Sequence, residues 1–166
     1  VRWLAFTAVE RVPVLILEGR PGASRYLVPA LQPDPDAQTG LWPEVRPAVA
    51  GLPQTLADYA AIFLCDVGDP APWMERLRTY VSEGGRLIAF AGANADAGAW
   101  NASFLDPESG LLPAILGDAV ELRQGGAGIA ALDLSHPALV PFRGWETMFR
   151  AVQVRGYRQI EPEGRT

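Results

Sequence analysis

Apolar and polar positions follow one another in blocks that predict an alternation of strands and helices. Three apolar runs end at a glycine, and they are RVPVLILEG (11–19), AAIFLCDVG (60–68) and RLIAFAG (86–92). A continuous apolar run of this length, closed by a turn residue, is typical of a strand buried on both faces. We therefore predict three buried strands of a parallel sheet.

Helical spacing fills the segments between these strands. SRYLVPALQ (24–32) follows the first strand, and Ser24 is its predicted N-cap. PAPWMERLRTYVSEGG (70–85) has apolar residues at helical spacing and ends at the pair Gly84–Gly85, which predicts a helix with a glycine stop. The order strand, helix, strand indicates crossover connections, which are right-handed in parallel sheets.

Shorter elements are predicted around this framework. EVRPAVAG (44–51) is expected as an edge strand, because Pro47 cannot donate a ladder hydrogen bond. QTLADY (54–59) is expected as a short turn of helix. The first ten residues, VRWLAFTAVE, alternate loosely and are expected to be extended.

The C-terminal third mixes short helices and strands. ADAGAWNASFL (95–105) and GLLPAILG (110–117) predict helices, whereas AVELRQ (119–124), GIAALDL (128–134) and FRAVQVRGYRQI (149–160) predict strands. Together these patterns predict an α/β fold. We expect a three-layer, doubly wound, mostly parallel sheet with a small antiparallel appendage near the C-terminus.

Composition and charge exclude several classes of partner. The chain has 166 residues, a hydrophobic content of 49% and a net charge of −5, and all its basic residues are arginines without a basic cluster that stands out. A nucleic-acid partner is therefore not expected. Cys65 is the only cysteine, so an internal disulfide is impossible. An apolar run of about 20 residues, which a spanning helix needs, is absent from the sequence, and direct membrane insertion is not expected.

Candidate ligand-binding residues lie where the predicted strands end. In parallel sheets the carboxyl ends of the strands form the ligand-binding crevice. The candidates there are Glu18, Arg20, Asp66, Gly92, Asn94 and Asp96. One interpretation lets Glu18, Asp66 and Asp96 converge on a divalent cation. The other interpretation, which we favour, is that these acidic residues cap the helices that begin in those loops.

Cofactor and nucleophile motifs are incomplete. GRPGAS lacks the spacing G-x-G-x-x-G of a dinucleotide site, and the chain has no lysine for a phosphate loop, so no cofactor is expected. Cys65 lies inside a predicted buried strand, where thiols are usually inert. His136 is the only histidine and is followed by a proline, so neither a Cys65–His136 pair nor a histidine metal site is expected.

Five tryptophans are spread along the chain, at positions 3, 42, 73, 100 and 145. Trp73 and Trp100 are expected in the core. Trp3, Trp42 and Trp145 lie in less regular segments, where an exposed indole would mark a contact with another domain. Packing beneath loops is the alternative for these three.

Several stretches together resemble a known family. VPVLILEG, TLADYAAIFLCDV, LRTYVSEGGRLIAFAG, LLPAILG and LSHPALVPF resemble the class I glutamine amidotransferase-like domains. They look most like the version embedded in large bacterial membrane proteins beside BatA-type and von Willebrand factor A-type segments. The resemblance covers roughly residues 11–145 and implies a flavodoxin-like sheet.

The chain departs from this family where catalysis would take place. Active amidotransferases of this fold carry a cysteine on the turn after the strand that corresponds to RLIAFAG, with a histidine and a glutamate further on. At the matching turn this chain has Gly92, Ala93 and Asn94, and its only histidine is flanked by Ser135 and Pro137. The resemblance therefore implies a domain without glutaminase activity.

The resemblance also implies a context for the domain. Residues 1–10 would be the last strand of a preceding β-sandwich, and residues 11–166 would form one amidotransferase-like domain whose C-terminal part is incomplete. The parent protein would be anchored in the bacterial cell envelope through other segments, and its neighbouring domains would be the partners. We expect a non-catalytic role in assembly or ligand sensing. The alternatives are a carboxylate- or metal-dependent hydrolase at the crevice, and a spacer between domains.

Overall fold

The structure is a computed structural model, and it describes residues 11–34, 40–105, 110–112, 114–122, 125–129, 131–137 and 139–162. The predicted extended segment 1–10 and Trp3 lie outside the described residues. The described chain forms two compact units. The first unit extends to Leu116 and also takes in the chain from Ile160, and the second is Gly117–Gln159.

The first unit is built on a four-stranded parallel sheet. Its strands are β1 (Val12–Glu18), β2 (Leu41–Pro47), β3 (Ala61–Cys65) and β4 (Arg86–Phe90). They lie side by side in the order β2-β1-β3-β4, and each neighbouring pair is parallel. The predicted α/β class and the three predicted parallel strands are confirmed.

The described residues of this unit form three α-helices: α1 (Leu27–Leu31), α2 (Met74–Ser82) and α3 (Ala97–Phe104). The predicted glycine stop of α2 is confirmed, because Gly84 adopts a φ of 96°, which L side chains rarely take. Pro29 lies in the first turn of α1, where the missing N–H would have had no helical partner. Loops, rather than these helices, cover the carboxyl ends of the strands.

The main core lies on one face of the sheet. It consists of strand residues that alternate along β1 and β3 and of residues from the helices, namely Leu15, Leu17, Ile62, Leu64, Leu77, Trp100 and Phe104, all at most 1% exposed. Val14, Ile16 and Cys65 face the other way and are also buried. Burial on both faces is therefore confirmed for β1 and β3.

The two edges of the sheet differ in composition. β2 is the edge strand that was predicted, although it begins at Leu41, and it contains Pro43 and Pro47. β4 forms the opposite edge, and its Phe90 is 51% exposed and stacks on Phe63 at 6.4 Å between ring centroids. The prediction that the third strand is buried on both faces is therefore wrong. β4 lies at the edge of the sheet, so only one neighbouring strand covers its side chains.

The remaining strands and the fourth α-helix are β5 (Ala114–Glu121), β6 (Ala127–Gly128), α4 (Glu146–Arg150), β7 (Gln153–Val154) and β8 (Gly156–Pro162). β5 pairs with β8, and β6 pairs with β7 in an antiparallel two-residue ladder. The predicted helix over 110–117 is wrong at its C-terminal half. Leu116 is buried while Ile115 is 39% exposed, which is the two-residue alternation of a strand.

Three further local predictions are wrong. Residues 54–59 form turns, with a backbone hydrogen bond from Tyr59 to Leu56, rather than a helix. Among the described residues of 128–134, only Gly128 is in a strand. The predicted strand 149–160 is interrupted, since α4 continues to Arg150 before β7 and β8 begin.

No helix in the described ranges is both long and apolar enough to cross a membrane.

Candidate functional site

The carboxyl edge of the sheet is held together by backbone contacts between the loops. The N–H of Gly19 donates to the carbonyl of Cys65 at 2.9 Å, and the N–H of Asp66 donates to the carbonyl of Phe90 at 2.8 Å. Both bonds continue the sheet beyond the ends of its strands. The loops after β1, β3 and β4 are therefore adjacent at this edge.

The Asp66 carboxylate is the centre of this edge and is engaged on both oxygens. Oδ1 accepts the backbone N–H of Asn94 at 2.8 Å, and Oδ2 accepts Nε of Arg20 at 2.5 Å. The Asn94 side chain also donates to the backbone carbonyl of Asp66 at 3.2 Å. The Asp66 side chain is only 6% exposed, whereas that of Arg20 is 62% exposed. We call Arg20, Asp66, Gly92 and Asn94 the Asp66 cluster.

Asp66 also has an unusual backbone. Its φ is 54°, and it is the only residue other than glycine with a positive φ among those described. Aspartate tolerates this left-handed region better than most residues. The conformation turns the chain sharply after β3 and places the carboxylate beneath the turn that follows β4.

Gly92 provides the space that the carboxylate occupies. A Cβ at Gly92 would lie 2.6 Å from Cγ of Asp66, inside van der Waals contact. The glycine predicted from the sequence as a site residue therefore serves to admit Asp66. Of the six candidate residues, the structure brings Arg20, Asp66, Gly92 and Asn94 together.

Glu18 is directed into its own loop. Its Oε1 accepts the N–H and the hydroxyl of Ser24, both at 2.7 Å, and its Oε2 accepts the N–H of Gly22 at 3.2 Å. Partial burial raises the pKa of Glu18, but the hydrogen bonds from Ser24 and Gly22 outweigh it, and the pKa is lowered overall. Ser24 is not the N-cap of α1, because the helix begins at Leu27 and Tyr26 is its N-cap residue.

Asp96 caps a helix, as the favoured interpretation of the acidic residues predicted. Its Oδ1 accepts the N–H of Ala99 at 2.9 Å, and it is the N-cap of α3. Its own N–H donates to the carbonyl of Gly68 at 2.9 Å. In the part of the chain that is described, no three His, Cys, Asp or Glu side chains are grouped so that they could hold a metal ion. Glu18, Asp66 and Asp96 therefore do not converge.

Two residues that shape the site were not among the candidate site residues predicted from the sequence. Gly19 lies so close to the carbonyl of Asp66 that a Cβ would overlap it. Trp100, predicted only as a core residue, donates Nε1–H to the carbonyls of Val67 and Gly68 at 2.9 and 3.0 Å. A glycine that directly follows a buried strand was the available signal for the first, and the second carried no local signal.

The thiol of Cys65 is poorly placed for catalysis. It is 2% exposed, as its position inside a buried strand predicted. Burial raises its pKa to about 11, and the negative charges of Glu18 and Asp66 act in the same direction. A thiolate is the reactive form, so this cysteine is almost entirely unreactive at neutral pH.

Comparisons of the chain with protein-family models, with curated proteins and with solved structures found no match.

Replacement of Asp66 should separate its charge from its hydrogen-bonding role. Asp66→Ala is expected to lower the free energy of unfolding by about 2–3 kcal/mol, because the N–H of Asn94 loses its acceptor and alanine is strained at this φ. Asp66→Asn retains an acceptor and tolerates the backbone, so we expect a loss of about 1 kcal/mol. Urea unfolding followed by circular dichroism measures both. Equal losses for the two variants would contradict the assigned hydrogen bond.

Glu18 should contribute a pH-dependent part of the stability. Its pKa in the folded protein is lower than the ordinary value of 4.5, so its contribution is complete above that value. The contribution is lost as the pH falls through the lowered pKa. Melting temperatures measured from neutral to acidic pH should therefore decrease less steeply for Glu18→Gln than for the native chain. Glu83→Gln, at an exposed residue after α2, is the matched control and should keep the native slope.

Proposed function

We propose that this chain is a non-catalytic, amidotransferase-like domain with a role in assembly or ligand sensing within a larger bacterial envelope protein. The observation that carries the proposal is the engagement of the Asp66 carboxylate by Arg20 and Asn94. With its side chain only 6% exposed and each oxygen already accepting a hydrogen bond, this carboxylate is poorly accessible to a reacting substrate. The centre of the candidate site therefore serves to hold three loops together.

The fold supports the family part of the proposal. The order β2-β1-β3-β4 is the order of the first four strands of a flavodoxin-like sheet. We propose that the domain belongs to this three-layer, doubly wound arrangement and that the antiparallel β6–β7 ladder is part of its C-terminal appendage. In this proposal the turn after β4 is the counterpart of the amidotransferase nucleophile turn, and Gly92, Ala93 and Asn94 occupy it.

The exposed groups of the Asp66 cluster indicate what a ligand would meet. Arg20 donates Nε to Asp66, and this bond fixes the guanidinium while most of the side chain stays exposed. A guanidinium fixed in this way suits a carboxylate or phosphate group of a ligand. Ligand sensing at this edge would therefore take an anionic ligand through Arg20.

The surface of β2 supports the assembly role. Trp42 is 42% exposed, and the Arg11 guanidinium lies 4.1 Å from the centre of its ring. Val45 on the same strand is also 42% exposed, and Val49 in the following turn is 96% exposed. Because side chains alternate along a strand, Trp42 and Val45 lie on opposite faces of β2. We propose that the exposed indole of Trp42 is the contact with another protein or domain.

A thermal-shift scan of the domain tests the proposal. We expect divalent cations to leave the melting temperature unchanged, because the carboxylates do not converge. An anionic ligand that raises the melting temperature in the native chain, and not in Arg20→Gln, would identify a sensing site. If no amino acid or nucleotide changes the melting temperature of the native chain, the proposal reduces to the assembly role.

Turnover assays test the absence of catalysis. We expect the purified domain to hydrolyse neither glutamine nor activated esters, and Cys65→Ala to behave as the native chain does. The native thiol should also react with iodoacetamide far more slowly than the thiol of the urea-unfolded chain, because of its burial and raised pKa. Turnover that disappears in Cys65→Ala would contradict the proposal.

One observation favours a second candidate, a carboxylate-dependent hydrolase. A left-handed residue directly after a strand is a strained conformation, and such strain is concentrated at active sites. In this candidate the Asp66 carboxylate, once released from Arg20, would accept a proton from the water that attacks an ester carbonyl and would return it to the leaving alkoxide. Hydrolysis of an ester that is abolished by Asp66→Asn and unaffected by Cys65→Ala would establish it.

A further inference from the structure

A cavity of about 260 Å³ lies at the amino ends of β3 and β4, at the edge of the sheet opposite to the Asp66 cluster. Its lining comes from the turn before β3, from the end of α2 and from the start of β4, and includes Tyr59, Ala60, Tyr80, Glu83, Gly85 and Arg86. Cavities of about 300–1,000 Å³ hold drug-sized ligands, so this one fits a smaller molecule.

The two tyrosines of the cavity are held by fixed contacts. The Tyr80 hydroxyl donates to the carbonyl of Tyr59 at 2.9 Å, which ties α2 to the turn before β3. The Tyr59 hydroxyl donates in turn to Oε2 of Glu44 at 2.7 Å. A Cβ at Gly85 would overlap the ring of Tyr80, so the glycine turn lies directly on that ring. The walls of the cavity are therefore built into the fold.

Glu83 and Arg86 bring opposite charges to this one cavity. Both residues are exposed, and within the described residues neither side chain forms a hydrogen bond or an ion pair. Arg86 lies beside Tyr80, because burial raises the pKa of that tyrosine while the N–H and the charge of Arg86 act in the opposite direction. The cavity therefore offers a ligand one negative and one positive group.

The other charged side chains on this side of α2 are already engaged. A groove that adjoins the cavity shares Glu83 with it and is also lined by Glu75 and Arg76. Arg76 donates to the carbonyl of Gln54 at 2.8 Å, and Glu75 forms an ion pair with Arg78 at 3.6 Å. These contacts leave the charges of the cavity itself as the ones that a ligand can pair.

We propose that this cavity binds a small zwitterion, an α-amino acid with an apolar side chain. The ammonium group of the ligand pairs with Glu83, and its carboxylate pairs with the guanidinium of Arg86. The apolar side chain lies against the methyl groups of Ala57 and Ala60 and the ring of Tyr59. A simple anion or a simple cation would leave one of the two charges without a partner. The inference goes beyond the proposed function, because it concerns the opposite edge of the sheet.

An NMR titration of the isotope-labelled native chain with leucine tests the proposal. We expect leucine to shift the amide signals of Gly84 and Gly85 and to leave those of Gly92 and Asn94 unchanged. Two analogues are matched ligands, since isocaproate lacks the ammonium group of leucine and isoamylamine lacks its carboxylate. Each analogue should bind at least about fivefold more weakly than leucine, because one charged pair is lost.

Two variants assign the two charges. Glu83→Gln should bind leucine and isocaproate with nearly equal affinity, because the ammonium group has lost its charged partner. Arg86→Gln should bind leucine and isoamylamine with nearly equal affinity, because the carboxylate has lost its partner. Glu75→Gln, at an exposed glutamate of α2, is the matched control and should bind leucine as the native chain does.

Three results would overturn the proposal. The first is equal affinity of the native chain for leucine and isocaproate, and the second is an absence of shifts with leucine. The third is a set of shifts at Gly92 and Asn94 that disappears in Arg20→Gln, which would place leucine at the Asp66 cluster and support the sensing role there instead. The comparison of ligands uses the native chain, so it decides the question even if a variant fails to fold.

Discussion

Gly19→Ala is expected to destabilise the first unit by about 4 kcal/mol or more, or to prevent its folding. A Cβ at this position would overlap the carbonyl oxygen of Asp66 and would lie 2.5 Å from its carbonyl carbon and 2.7 Å from Cα of Val67. All three atoms belong to the backbone, so a rotation of side chains cannot relieve the overlap. The loops after β1 and β3 would have to separate, and the hydrogen bond between Gly19 and Cys65 would break.

Gly68→Ala is the matched control for this substitution. It lies in the same loop after β3, and its nearest neighbours are the side-chain nitrogen and the carbonyl oxygen of Asn94, at 3.4 and 3.5 Å from the added carbon. Those are ordinary contacts, so we expect a change of less than about 1 kcal/mol. Urea unfolding of both variants, followed by circular dichroism, gives the comparison. Equal stability of the two variants would show that the loops are not in contact as described.

Trp100→Ala is expected to lower the free energy of unfolding by about 3–5 kcal/mol. The indole is 1% exposed and stacks on Phe104 at 5.2 Å between centroids. Its removal leaves a cavity in the core and also leaves the carbonyls of Val67 and Gly68 without their indole donor. The variant should therefore loosen the segment that follows Asp66 as well as the core.

Two further substitutions divide this effect into its parts. Trp100→Phe keeps an aromatic ring in the core but removes the indole N–H. Part of its decrease in the free energy of unfolding comes from the smaller ring. The remainder, which we expect to be about 1–2 kcal/mol, measures the two hydrogen bonds. Trp42→Ala, at the tryptophan that is 42% exposed, should cost about 1 kcal/mol or less. If Trp42→Ala lowered the free energy of unfolding as much as Trp100→Ala does, Trp100 would not be the core residue described here.

Sequence reasoning was successful where one strong pattern dominates the local structure. The apolar runs of β1 and β3 predict buried parallel strands because each is continuous and ends at a turn. It was unsuccessful where tertiary contacts decide between similar patterns. Residues 114–117 contain apolar residues compatible with either a helix or a strand, and the buried Leu116, whose backbone N–H and carbonyl both bond to the side chain of Asn101, belongs to a strand.

The candidate site shows the same division. Adjacent strand ends in a parallel sheet suffice to predict that Arg20, Asp66, Gly92 and Asn94 lie together. The sequence could not show that Glu18 turns towards Ser24, because that choice depends on the path of a loop. It also could not show the left-handed backbone of Asp66, since a single aspartate fits either conformation. The partners of a carboxylate depend on distances of a few ångströms, which residue types alone do not encode.

The two edges of the sheet differ in how readily they can pair with a further strand. On the β2 side, Pro43 and Pro47 lack an amide hydrogen, and Glu44 and Arg46 place charges between them. An incoming strand would find few hydrogen-bonding partners there. On the β4 side, Leu87 to Phe90 form an apolar run without proline or charge. Any additional strand, from this chain or from another, would therefore be added beside β4, and exposure of this edge at high concentration would favour aggregation.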